Sequence, residues 1–253
     1  MRGKMFSRNL TLSFVLVTAL NFMLANMANA KLVTEGLVSY WSFNKASIQE
    51  EKVQDVWGEN DGNIKGDVKV VEGKYGEALE FDGDEDLVWM PDTESLRIDE
   101  AGTIEMWVKI AEIQKYQGLF IKAGAWAGPG YVLRYSSQYQ FQGGWEWVDF
   151  HQDGELIKGQ WSHIAMATDG ETAFLYQDGK LIKTHETTVT TDNEPLLLGF
   201  TVDVYWKGLI DEVRFYDRNL SEDEVNQNMN AEGLDVLSPT EKLPLTWGKL
   251  KSE

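Results

Sequence analysis

Three groups of residues have types and spacings that could do chemistry. Glu80, Asp82 and Glu85 stand at E-x-D-x-x-E spacing. Hydrolysis of a glycosidic bond needs two carboxyls on a common face, one as nucleophile and one as general acid. A strand supplies that face only while its acids alternate without a break. Asp82-Gly83-Asp84 reads as a turn, so Glu85 is expected beyond the bend, away from the other two. Asp82, Asp84 and Asp86 also mimic the start of a calcium-binding loop, but Leu87 replaces its turn glycine and Thr93 its terminal Glu. The three histidines, His151, His163 and His185, are not paired at metal-binding spacing. No nucleophile elbow and no phosphate or dinucleotide fingerprint occurs. His163, in WSHIAMA, reads as a packed core histidine, and His151 and His185 as surface residues.

The third group is aromatic. Between Lys122 and Asp149, Trp126, Tyr131, Tyr135, Tyr139, Trp145 and Trp147 stand among glycines and polar residues. Trp145, Trp147 and Asp149 share one strand face, the mixture of apolar plate and hydrogen-bonding group that a pocket needs. Trp206, just before the last strand, can join them at a sheet end. The candidate ligand-binding set is therefore Trp126, Tyr131, Trp145, Trp147, Asp149 and Trp206. The competing use of such residues is to fill a sheet face or cover a loop. Trp41, Trp107 and Trp161 lie in clear strands and are expected in the core.

The elements that position these groups are strands. In TIEMWVKI, Ile104, Met106, Val108 and Ile110 alternate with Thr103, Glu105, Trp107 and Lys109. In GLVSYWSF, Leu37, Trp41 and Phe43 line one side. In GLIDEVRFY, strict alternation puts Leu209, Asp211, Val213 and Phe215 on one face and Ile210, Glu212, Arg214 and Tyr216 on the other. Asp61-Gly62, Asp82-Gly83, Asp169-Gly170 and Asp178-Gly179 mark turns, and LYQDGKLI predicts a type I′ hairpin. Ten to twelve short strands with tight turns predict an all-β chain, a two-sheet antiparallel sandwich or jelly roll. One short C-terminal helix is expected after Ser221, whose capping box uses Glu224, with Gly233 placed to end it.

Composition narrows the function classes. Arg2, Lys4 and Arg8, an apolar run from Leu10 to Ala25 and Ala28-Asn29-Ala30 read as a signal peptide over residues 1–30. The sandwich domain is expected over 31–236 and an extended tail over 237–253. Loss of the three basic leader residues moves the formal net charge from −18 to −21. Such a charge disfavours nucleic acid, whose phosphates demand Lys and Arg. The apolar run is too interrupted for a bilayer span, so no membrane insertion is expected after cleavage. The absence of cysteine removes disulfides, thiol nucleophiles and cysteine-bound zinc together.

In chain order, GLVSYWSFN, GENDGNIKG, GKYGEALEFDGDEDLVWMP, TIEMWVK, WSHIAMATDGETAFLYQDGKLI and GLIDEVRFYDRNLSEDEV resemble the hallmark stretches of laminin G-like jelly rolls. The resemblance runs from Gly36 to Val225. It implies a concanavalin A-like sandwich that binds carbohydrate or protein outside the cell. It also implies a structural calcium where the first strand, the following loop and the last strand meet, at Asn44, the loop from Gly58 to Asn60, and Asp211. Asn44 stands where family members often have Asp, which lowers the charge. The other possibility for Asp211 is a carboxylate held by backbone amides. Some jelly-roll glucanases carry the E-x-D-x-x-E spacing, and SPTEKLPLTWGKLKSE resembles a tail of some bacterial envelope-associated proteins. The expected function is a secreted or surface-exposed non-catalytic module, with a glycan or a matrix or envelope protein as partner. A structural envelope component is the alternative, and a glycoside hydrolase the remote one.

Overall fold

The computed structural model describes residues 30–98, 100–123, 130–136, 139–143, 146–150, 154–187, 189, 193–202 and 204–233, with 140–143 and 146–150 as backbone only. Strands follow one another as β1 (Leu37–Trp41), β2 (Ile48–Gln49), β3 (Lys52–Val53), β4 (Gly62–Lys65), β5 (Lys69–Glu72), β6 (Glu77–Asp82) and β7 (Leu87–Met90). Then come β8 (Gly102–Ile110), β9 (Gln117–Ala123), β10 (Gly130–Tyr135), β11 (Tyr139–Gly143), β12 (Glu146–Phe150) and β13 (Trp161–Thr168). The last are β14 (Thr172–Gln177), β15 (Lys180–Glu186), β16 (Leu196–Leu198), β17 (Phe200–Thr201), β18 (Val204–Tyr205) and β19 (Lys207–Tyr216). The α-helix α1 (Glu222–Met229) follows.

Two large antiparallel sheets result, as expected. Sheet A has the order β15-β14-β13-β8-β19-β6-β5, with β1 also on β19. Sheet B has the order β12-β11-β10-β9-β16-β7-β4-β3-β2. The β14–β15 hairpin turns at Asp178 and Gly179, both at positive φ (50° and 74°), as a type I′ turn requires.

The core lies between the sheets. Ile104, Met106, Val108 and Ile110 of β8 meet Leu133 and Tyr135 of β10, Val88 and Met90 of β7 and Leu198 of β16, all buried. Burying each such side chain contributes about 1.5–3 kcal/mol, and with no cysteine in the chain this burial replaces disulfides. Trp41 is wholly buried in the same core and donates its indole N–H to the Asn60 carbonyl at 2.8 Å.

Two bulges redirect side chains against strict alternation. On β19, Asp211 pairs with Trp107 but Arg214 pairs with Glu105, so three residues on one strand match two on the other. Glu212 takes up the extra residue at φ 54°. Ile210, Val213 and Phe215 therefore face the core, whereas Asp211 lies on the outer face of sheet A, opposite Trp107. The expected grouping of Asp211 with Val213 and Phe215 is thus corrected. A register shift between Leu37 and Ser39 likewise sends Leu37 outward, apart from Trp41 and Phe43.

That outer face is divided. Over one half lies α1, whose Val225 packs with Leu32, Leu37, Ala165, Ala167, Tyr176, Tyr216, Leu220 and Ala231 in a second small core. Its capping box forms: the Ser221 hydroxyl accepts from Glu224 N–H at 3.4 Å, and Glu224 accepts from Ser221 N–H at 2.9 Å. Arg218 makes a bidentate pair with Glu224 and fixes the entry to the helix. The helix ends at Asn230, before the expected Gly233.

Candidate functional site

Asn44 and Asp211 do meet around one turn, but as clamps on its backbone. The Asp211 carboxylate accepts from Lys74 N–H at 2.8 Å, Tyr75 N–H at 3.2 Å and Glu212 N–H at 2.8 Å. Asn44 Oδ1 accepts from Glu77 N–H at 2.9 Å on the other side of the same turn. Gly76, at φ 61°, leaves no room for a side chain there, since a Cβ would stand 2.0 Å from Asn44 Oδ1. Asn60 is engaged elsewhere. It donates to Ser39 Oγ at 2.7 Å and Ser95 Oγ at 3.0 Å and accepts from Thr93 at 2.7 Å. Its loop is gathered by Asp55, which accepts from the N–H groups of Tyr40, Trp57, Gly58 and Asn60.

This donor set does not fit calcium, which takes six to eight oxygens. Both Asp211 oxygens already receive N–H donors, and among the described residues no three acids or histidines gather around a possible metal. Burial, with Glu212 beside it, pushes the Asp211 carboxyl up to about 8, against the pull of its three amides. The backbone-amide alternative for Asp211 is the one that matches its surroundings.

Next to Asp211 lies a buried ionic cluster. Arg214 bridges Glu105 at 3.1 Å and Glu212 at 2.6 Å, with all three side chains inaccessible. Tyr40 donates to Glu212, and Asn228 donates to Glu105 and Tyr216, each at 2.9 Å. Burial raises Glu105 to about 7 and lowers His163 to about 3. The second Glu105 oxygen has no hydrogen-bond partner and faces His163 Nε2 at 3.7 Å. Trp107 covers them, edge-on to His163 at 5.3 Å and beneath the Lys74 ammonium at 4.1 Å. His163 is thus buried, as its sequence context suggested. Nothing in this cluster is open to a ligand; it fastens α1 to sheet A.

The aromatic candidates separate. Tyr131 is wholly buried, its ring edge-on to Phe120 at 6.1 Å and its hydroxyl donating to the Leu96 carbonyl at 3.2 Å. Trp206 is also wholly buried in the main core. A side chain with no exposed surface cannot stack on a sugar, so these two are corrected to core residues. Trp126 and Trp145 lie outside the described residues, as does His151. Trp147 and Asp149 have described backbone only, in β12 at the edge of sheet B, pairing with Gln142 and Gln140. Trp107 and Trp161, expected in the core, are on the outer side of sheet A, Trp107 buried there and Trp161 only half-buried.

The residue missed in the sequence is Trp89. Its neighbours Val88 and Met90 are core residues, and Trp89 points the other way, 38% exposed, in the middle of sheet B. It pairs with Leu197 on one side and Asn63 on the other, and Asn63 pairs with Lys52. The alternation of LVWM carries the signal that would have placed it outside.

A second open feature is a cleft of about 650 Å³ on the uncovered half of sheet A, lined by Glu80, Asp82, Lys69, Lys109 and Lys207. Asp82 ends β6, and Glu85 lies in the turn beyond it at φ 58°. Asp86 accepts from the N–H groups of Asp67 and Asp82, and Asp82 from that of Asp84. The acids of this loop therefore hold a turn, as their spacing suggested, and Glu85 does not share the strand face of Glu80 and Asp82.

The fold and these two open faces define a sandwich of the lectin and glucanase type. A family model of the concanavalin A-like lectin/glucanases superfamily, Laminin_G_3, matches residues 82–226, more than half of the 253-residue chain, and the chain belongs to this family. No curated protein matches its sequence. Among solved structures it is similar to domain 4 of AbnA, a GH43 extracellular arabinanase from Geobacillus stearothermophilus, in complex with arabinotriose. There the TM-score is 0.59 at 22% identity, over 76% of this chain and 98% of that one. Trypanosoma rangeli sialidase gives a TM-score of 0.66 at 16% identity, over 85% of this chain and 35% of that one. The binding domain of Paraclostridial Mosquitocidal Protein 1 gives 0.61 at 16%, over 77% and 52%. The chain thus spans about a third and half of the latter two, and the likeness is one of fold.

Proposed function

We propose that this protein is an exported, non-catalytic glycan-binding module whose ligand face is the outer face of sheet B. The observation that carries the reading is Trp89, a large apolar plate left 38% exposed towards the centre of a sheet in which Phe120, Tyr131, Tyr135 and Tyr139 are buried. Sugar rings offer C–H faces to such a plate, Asn63 beside it supplies hydrogen bonds to hydroxyls, and Lys52, paired with Asp61 at 2.9 Å, stands one strand further in the same row. The arabinotriose complex of the AbnA domain supports a glycan as ligand class. The signal-peptide pattern in the sequence of residues 1–30 supports export, and the displacement of Glu85 from the strand supports binding without cleavage.

The test is a titration of neutral oligosaccharides, arabino-oligosaccharides among them, followed by tryptophan fluorescence and calorimetry. Trp89→Ala should lower affinity at least about tenfold, since loss of a stacked ring costs about 1–3 kcal/mol in comparable aromatic platforms. Unchanged affinity in that variant, or no glycan bound at all, overturns the reading. Release of reducing ends from any of these sugars would overturn its non-catalytic part.

A further inference from the structure

We propose that the cleft on the open half of sheet A is a second binding site, built for an anionic oligosaccharide. Its floor is one register row across four strands: Lys109 of β8 pairs with Leu209 of β19, Leu209 with Glu80 of β6, and Glu80 with Lys69 of β5. Directly paired residues project to the same side, and the core-facing neighbours Ile110, Ile210 and Leu79 fix that side as the outer one. Three strand spacings make the row about 14 Å long. A cleft of about 650 Å³ lies over it, within the range of sites that enclose small ligands.

The charges sort by what they already do. Lys207 is paired with Glu112 at 2.9 Å. Asp86 and Asp82 hold the turn through backbone N–H groups. Lys109 rests over the Trp161 ring at 5.9 Å and forms no ion pair among the described residues. Among the described residues Lys69 and Lys158, both exposed, form no ion pair within 4 Å, although Lys158 stands near the Glu112 carboxylate, and the Glu80 and Asp67 carboxylates make no hydrogen bond. Three cations and two anions are thus available around one apolar side chain, Leu209. In a chain of formal net charge −18, this is a place where the lining carries as many lysines as acids and where Lys69, Lys109 and Lys158 stand outside any 4 Å ion pair among the described residues. Lys69, Lys109 and Lys158 suit the carboxylates or sulfates of an acidic sugar, Glu80 and Asp67 its hydroxyls, and Leu209 the C–H face of a ring. The occupied face differs from the Trp89 face, so the two sites can fail separately.

The experiment titrates the purified protein with an oligogalacturonate, a sulfated oligosaccharide of matched length and a neutral arabino-oligosaccharide, at low and raised salt. Binding of an anionic probe should weaken with salt. It should fall at least about tenfold, near 1.4 kcal/mol, in a Lys69→Glu/Lys158→Glu variant, both side chains being exposed and outside any ion pair within 4 Å among the described residues. The same variant should leave neutral-sugar binding at Trp89 unchanged. The two anionic arms decide between carboxylate and sulfate. Equal binding of neutral and anionic probes at this cleft, anionic binding untouched by the double variant, or no anionic binding overturns the proposal. Neutral binding that persists and depends on Trp89 would then leave the sheet B reading intact.

Discussion

The outer face of sheet A treats the same kinds of residue in opposite ways along its length. Under α1, Glu105 and Glu212 are buried on either side of Arg214, Tyr40 donates to Glu212 and Asn228 to Glu105, and only the second Glu105 oxygen and Arg214 Nε are left without a hydrogen bond among the described residues. Further along the same sheet, Lys109 of β8 is half-buried and Glu80 of β6 and Lys69 of β5 are exposed, each with few partners. The difference is cover, not composition. Burying a charge costs several kcal/mol, so charges under the helix must be paired to exist there, while those in the cleft remain available. One half of the face is a fastening and the other a surface for ligands.

The sharpest way to break this contrast is to remove the central cation of the fastening. Arg214→Met should destabilise the protein by about 3–5 kcal/mol, because Glu105 and Glu212 would stay buried without their partner. Lys69→Met, in the open half, should change stability by less than about 0.5 kcal/mol. Urea unfolding of the two variants checks both. Similar losses would show that the two halves do not differ as described.

A parallel contrast separates aromatic residues by which face of sheet B they occupy. Tyr131→Phe, which removes only the hydroxyl that donates to Leu96, should cost about 1 kcal/mol and leave ligand binding alone. Trp89→Ala should cost little stability and most of the glycan affinity. If Tyr131→Phe weakens binding as much as Trp89→Ala, the division between core and ligand face is wrong.

These contrasts also show what the sequence could carry. Alternation in TIEMWVKI reports both faces of β8 correctly, because that strand has no bulge. The same rule misplaces Asp211 and Leu37, because one extra residue in a ladder reverses every side chain after it, and the only glycine of GLIDEVRFY, Gly208, lies four residues before the bulge at Glu212 and does not announce it. Tyr131 and Trp206 looked like site residues because large aromatics suit cores and pockets equally. Only the partner strand tells which, as Phe120 does for Tyr131. The capping box and the Asp178-Gly179 hairpin were legible because their chemistry is local.

The fastening half also carries a pH signature. Glu105, raised to about 7 in the fold from 4.5, binds its proton more tightly folded, so its contribution is full below pH 4.5 and is lost as pH rises through 7. His163, lowered to about 3 from 6.5, works oppositely: its contribution is present above pH 6.5 and lost as pH falls towards 3. Between 4.5 and 6.5 the two oppose each other, and below 4.5 the histidine loss stands alone. His163→Phe should therefore make thermal stability keep rising as pH falls from 7 to 4.5, by up to about 1.4 kcal/mol per pH unit relative to the parent protein. Parallel pH profiles for the two would sink the assignment.

The smallest effect expected is none. If Asn44 and Asp211 clamp the turn from Gly73 to Glu77 by its amides, a chelator should leave the unfolding midpoint where it is, and added calcium should not raise it. A ligand selective for the native state stabilises it by mass action, so a resident calcium at this place would show as a concentration-dependent rise. Asp211→Asn separates the two accounts further. The amide oxygen can still accept from one or two of the three N–H groups, so the clamp weakens by about 1 kcal/mol for the bond it loses. A calcium site would instead lose a charged ligand and its calcium dependence at once. A midpoint that moves with calcium in the parent protein, and stops moving in this variant, would return the turn to the metal and take it from the backbone.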